Sequence, residues 1–167
     1  GAGSALGLFT STASVPSNSF NTGTLELTSS PTSALFAVSG MAPGDAVTAA
    51  LTLSNSGSME LRYAMTTAAD NPDGKGLRDQ LELTVKTEGT GCAAFDGTTL
   101  YGPGALSAGA LGNVAQGAQA GDRVLGASAS EVLCFRVVLP LGTGNAYQGA
   151  STTATFTFEA EQTANNP

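Results

Sequence analysis

Apolar and polar residues alternate along most of this chain. Near its end Ala154, Phe156, Phe158 and Ala160 fall on one side of an extended backbone, and Thr153, Thr155, Thr157, Glu159 and Glu161 fall on the other. That period of two predicts a half-buried strand with a wet face carrying both glutamates, and no Pro or Gly interrupts it. The same alternation recurs at Leu25 and Leu27, at Phe36 and Val38, and at Val47, Ala49, Leu51 and Leu53. It returns at Leu61, Tyr63 and Met65 and at Leu81, Leu83 and Val85, while residues 131–141 read as a strand by their β-branched content. Turn chemistry separates these runs: Asn21 with Gly23, Pro43-Gly44 in a type II arrangement, and Asn55-Ser-Gly-Ser58. Residues 77–80 predict a short helical turn. Residues 102–130, dominated by Gly and Ala, read as surface loops with short strands near residues 99–101 and 106–111.

Composition agrees with many short strands and argues against a helical bundle, so the expected class is all-β in a single domain of 167 residues. Only 11% of residues are charged, and six Lys and Arg face thirteen Asp and Glu, a net charge of −7. That balance disfavours nucleic acid and anionic membrane surfaces as partners. No apolar run approaches the roughly 20 residues of a membrane span. There is no histidine, which removes the commonest general base and the commonest zinc ligand. No phosphate loop, dinucleotide fingerprint or serine elbow is present, so neither a cofactor nor a catalytic residue is expected. Asp70, Asp73 and Asp79 invite a calcium reading, but Pro72 stands where an EF-hand would need a ligand, and a solvated turn is the simpler expectation.

The first ionisable side chain is Glu26. Ahead of it, Ala5, Leu6, Leu8, Phe9, Ala13 and Val15 make a segment too apolar to be left in water. It either forms the first strand of its own sheet or leaves the domain. About 14 extended residues reach roughly 45 Å, enough to enter a neighbouring molecule. The chain begins at Gly1 with neither Met nor a basic leader, as a secreted protein would after loss of its signal. Cys92 and Cys134, the only cysteines, lack the spacing of a zinc or thioredoxin-type site. A structural disulfide is expected, closing a loop of about 40 residues and contributing roughly 4 kcal/mol in the chain-entropy account; buried free thiols are the alternative. The bond would fit an oxidising, extracytoplasmic location.

Five blocks carry a family resemblance in order and spacing: Phe9-Thr-Ser-Thr-Ala13; Ser19-Phe-Asn-Thr-Gly-Thr-Leu-Glu-Leu27; Phe36 to Met41-Ala-Pro-Gly-Asp45; Leu53-Ser-Asn-Ser-Gly-Ser58; and Asn145-Ala-Tyr-Gln-Gly149 with Phe156-Thr-Phe-Glu-Ala-Glu-Gln162. They cover the first third and last quarter of the chain and resemble the TasA/camelysin family of secreted fibre-forming proteins. Residues 70–131 depart from TasA itself. The resemblance implies a jelly-roll-like antiparallel β sandwich, exported to the extracellular space or cell surface, that polymerises head-to-tail into biofilm-matrix fibres by donor-strand complementation. Its partner would be itself, with other matrix components possible. In that reading residues 1–15 are the donor strand, 16–163 the sandwich and 164–167 a tail. Camelysin was described as a metallopeptidase, so an enzyme is one alternative, poorly supplied with ligands here. A monomeric adhesin is the other, and no Trp with three Tyr gives it little aromatic surface.

Overall fold

Alternating Val, Leu, Phe and Thr favour pleated backbone, and the runs that carry them become strands in a computed structural model describing residues 10–15, 21–22, 25–30 and 40–167. The strands are β1 (Thr10–Val15), β2 (Asn21–Thr22), β3 (Leu25–Ser30), β4 (Ala46–Asn55), β5 (Leu61–Ala69), β6 (Glu82–Thr87), β7 (Thr99–Ala105), β8 (Ala110–Leu111), β9 (Arg123–Leu125), β10 (Ser130–Val138) and β11 (Ala154–Gln162). One helical turn, α1 (Leu77–Gln80), stands where the sequence predicts it. The strand expected at residues 34–39 lies outside the described residues.

Two antiparallel sheets result. One runs β2-β3-β4-β10-β6-β7, the other β1-β11-β5-β8 with β9 also on β5. Leu51 and Leu53 of β4 with Leu133 and Phe135 of β10 face Tyr63 and Met65 of β5 and Phe158 of β11, and all are fully buried in one core. Phe135 meets Phe156 across the layers edge to face, with ring centroids 5.0 Å apart. The all-β class is therefore established, and it follows from the alternation itself.

Register fixes two ends. Ser130 lies opposite Ser54 and Val138 opposite Ala46, so β4 finishes where β10 begins. At that first end the Asn55 amide donates to Met59 O (2.7 Å), Leu125 O (3.2 Å) and Gly126 O (3.1 Å), tying the β9 segment to β4. At the second end Pro43-Gly44 reverses the chain: Gly44 has φ 94°, Asp45 N donates to Ala42 O at 2.9 Å, and the Asp45 carboxylate accepts Ala42 N at 2.9 Å. Positive φ at the second central position is what a type II turn demands of glycine.

Two expectations need correcting. Glu161, read as wet, is 0% exposed: residues 112–122 fold over that face, and Gly117 N donates to Glu161 Oε1 at 2.9 Å. Arg62, its cross-strand neighbour, is buried beside it with Nε 3.4 Å from Glu161 Oε1, and its guanidinium donates to Asn166 O. The Gly- and Ala-rich stretch also gives Leu106, Leu111 and Leu125 to the core at 4%, 3% and 5% exposure, so it is not merely surface.

Candidate functional site

Among the described residues β1 lies at the edge of its sheet. It pairs antiparallel with β11 through six residues, from Thr10 opposite Glu161 to Val15 opposite Phe156, which places Ala13 opposite Phe158. β11 is held on its other side by nine pairs with β5, from Ala154 opposite Ala69 to Gln162 opposite Leu61. The seat of β1 is thus a ready-made strand edge, already ordered by its neighbour. Ala5, Leu6, Leu8 and Phe9 lie outside the described residues. Residues 16–20, joining β1 to the rest of the chain, also lie outside them.

Cys92 and Cys134 come to disulfide distance, with Cα atoms 5.1 Å apart. Cys134 belongs to the outward face of β10, since Leu133, Phe135 and Val137 take the core side, yet it is fully buried. The cover is the segment after β6, whose Phe95 lies under the cations of Arg136 at 3.9 Å and Lys86 at 4.7 Å from the ring centroid. Lys86 Nζ also donates to Phe95 O at 3.0 Å. Within the same strap Asp96 accepts from the Thr90 hydroxyl (2.6 Å) and N–H (2.9 Å), and those bonds hold its carboxyl below the usual carboxylate range.

The acidic loop is spent on turns. Asp70 Oδ1 accepts Thr153 N at 2.7 Å, and Asp73 accepts Lys75 N at 3.0 Å and Ser151 N at 2.9 Å, which lowers the Asp73 pKa. Asp79 accepts the Ser107 hydroxyl at 2.7 Å. The three carboxylates stay apart in function, and among the described residues no three His, Cys, Asp or Glu side chains gather as a metal would need.

A polar cluster that sequence reading missed joins three strands at the first end. The Tyr63 hydroxyl, on the core side, donates to Glu131, and Arg123 Nη2 donates to Glu131 Oε2 at 2.8 Å. Burial, reinforced by the Glu131 charge, pushes the Tyr63 phenol far above its ordinary pKa. The one available signal was Glu131 itself, in phase with the inward set Leu133, Phe135 and Val137. Nearby, a shallow cleft of about 420 Å³ is lined by Glu60, Arg62, Gln119, Val124, Asn166 and Pro167, among others.

Fold and edge together define a two-sheet antiparallel β protein whose first strand completes one sheet from its rim. The sequence profile of the family described as camelysin metallo-endopeptidase matches residues 2–86, about half the chain, and the chain belongs to that family. Among curated proteins none matches. A solved structure of a family 123 glycoside hydrolase from Clostridium perfringens, described for glycolipid glycan hydrolysis, aligns at 11% identity and a TM-score of 0.33. The alignment covers 74% of this chain and 22% of that one, below the level at which two folds can be equated.

A metallo-endopeptidase holds its ion by about three ligands with one position left open. This chain has no imidazole to offer, its two sulfurs stand against each other, and the carboxylates of Asp70 and Asp73 accept from the N–H groups of Thr153 and Ser151 while that of Asp79 accepts the Ser107 hydroxyl. Among the described residues the donor set does not fit zinc. No helix among the described residues is long and apolar enough to cross a membrane.

Proposed function

We propose that this camelysin-related chain is the structural subunit of an extracellular or cell-surface filament, polymerising head-to-tail by donation of its N-terminal strand, and that it does not act as a peptidase. The observation that carries the reading is the seat of β1: an edge position on β11, six pairs long, filled by a segment that Leu6, Leu8 and Phe9 precede in the sequence. The same seat takes the equivalent strand of another copy without new geometry, and an apolar terminus of this kind gains on the order of 5–8 kcal/mol from burial before ordering costs. Ala5, Leu6, Leu8, Phe9, Ala13 and Val15 are the donor residues in this account, and the body is a jelly-roll-like sandwich. A contact between different surfaces of like subunits does not close, so it yields an open filament.

The peptidase alternative rests on the family's description, and the misfit of the donor set counts against it. Negative-stain microscopy of the purified full chain separates the two. Filaments with no zinc-dependent cleavage of casein are expected; persistent monomers that cleave casein and lose the activity to a chelator would replace filament with enzyme.

A further inference from the structure

Resting on that filament reading, we infer that the subunits of the filament share a second, side-chain contact: Leu141 of one copy seats in the cleft beside Val124 of the next. Val124 and Leu141 are the exposed large hydrophobics among the described residues, at 57% and 81%. They stand at opposite ends of the molecule. Leu141 follows β10 at the second end, where Gly44 N donates to Leu139 O at 2.7 Å. It rides a tight turn in which Thr143 donates to Pro140 O through its N–H at 3.0 Å and its hydroxyl at 2.6 Å. The side chain is therefore presented by a fixed turn, and docking it costs little ordering.

Val124 belongs to the first end, beside Arg62 in register and next to Leu125, whose carbonyl the Asn55 amide holds. The ten residues of β4 separate the two ends by roughly 30 Å. One end thus carries an apolar knob and the other an open cleft of about 420 Å³ in which Ala118, Val124 and Pro167 make an apolar patch among polar side chains such as Glu60 and Asp122, large enough for a leucine and part of its turn. A knob that fits a pocket elsewhere on the same molecule makes a contact that propagates and never closes.

Strand polarity brings those same ends together. β1 runs from Thr10, beside Glu161 at the first end, toward Val15 beside Phe156. A donated strand lying in that register leaves its seat toward the acceptor's second end. Residues 16–20 then span at most roughly 21 Å before Asn21, which pairs with Glu26, adjacent to Leu27 opposite Asn55. With that link extended, the donor's first end comes against the acceptor's second end, the Val124 cleft toward the Leu141 turn. Exposure and strand direction are both consistent with this joint.

The test uses full-length protein and four sequences: the parent, Leu141→Asp, Val124→Lys, and the double variant. Both sites are exposed, so each single variant is expected to melt within about 2 °C of the parent while the concentration needed for assembly rises by about tenfold or more. The double variant sets Asp against Lys across the joint and is expected to recover a substantial part of that loss. If Leu141→Asp assembles like the parent, the contact is overturned and strand donation stands. If the double variant is no better than the worse single one, Leu141 and Val124 do not meet. A parent that never assembles, or a Δ1–14 variant that still does, overturns the filament reading or its strand donation. Should Leu141→Asp unfold the subunit, Leu141→Ser gives the same reading at the same position.

Discussion

Gly44, at φ 94°, occupies backbone that side chains resist, and a Cβ there would stand 3.3 Å from the Leu141 side chain. Gly44→Val should cost about 1–3 kcal/mol, which in a chain of this size lowers the melting temperature by several degrees; an unchanged melt would remove the type II assignment. Tyr63 makes a separate, pH-dependent prediction. Its phenol ionises near pH 10 when unfolded and well above that when buried against Glu131. Above pH 10 the unfolded state binds fewer protons than the native state, so stability falls as pH rises. Tyr63→Phe should flatten that alkaline slope and cost about 1–2 kcal/mol at neutral pH through the lost hydroxyl. Urea titrations from pH 8 to 11.5 check both, and equal slopes in the two proteins would show that Tyr63 is not the group responsible.

At the scale of elements, the strap from Glu88 to Gly97 lies on the outer face of the six-stranded sheet, away from the core cluster. Linking Cys92 to Cys134 across 42 residues of sequence should contribute about 4 kcal/mol through the unfolded state. Intact mass under denaturing, non-reducing conditions should lie two hydrogens below the dithiol value; alkylation of both thiols without reductant would show them free. Elements of this kind mark how far the sequence could be read. The strands β4, β5, β6 and β11 were legible because each carries a period of two, β10 because of its β-branched content, and the turn at Pro43-Gly44 because both residues have fixed conformational meaning. Glu161 and Arg62 were not, since what covers that face is a loop some 45 residues before the one and some 55 after the other in sequence, with no period of its own. Leu106, Leu111 and Leu125 were hidden for the converse reason: each stands nearly alone among Gly and Ala, and only the closed fold shows which side faces the core. Phe95 likewise gives no sign in sequence that Lys86 and Arg136 converge on it. Of the candidate site, the apolar N-terminus could be singled out from composition, but the edge it would complete could not, because strand order is not written in any one strand.

For the whole molecule, the decisive question is whose β11 receives β1. In a single chain β1 fills its own edge, and in a filament each copy would fill its neighbour's, so the two states contain nearly the same hydrogen bonds. Their balance turns on concentration, on the residues preceding Thr10, and on the contact at the opposite ends. A variant lacking residues 1–14 is therefore expected to fold as a less stable monomer with an open β11 edge and to form no filaments. A synthetic peptide of residues 1–15 added in trans should bind that edge and raise the melting temperature with increasing peptide concentration, as any ligand of the native state must. The same peptide with Asp at both Leu8 and Phe9 should bind far more weakly, since it loses the apolar burial while keeping the backbone donors and acceptors. Added to full-length protein, the unmodified peptide should cap growing ends and shorten filaments. Filaments of normal length from the truncated variant would show instead that β1 stays with its own subunit, and that subunits join through other surfaces alone.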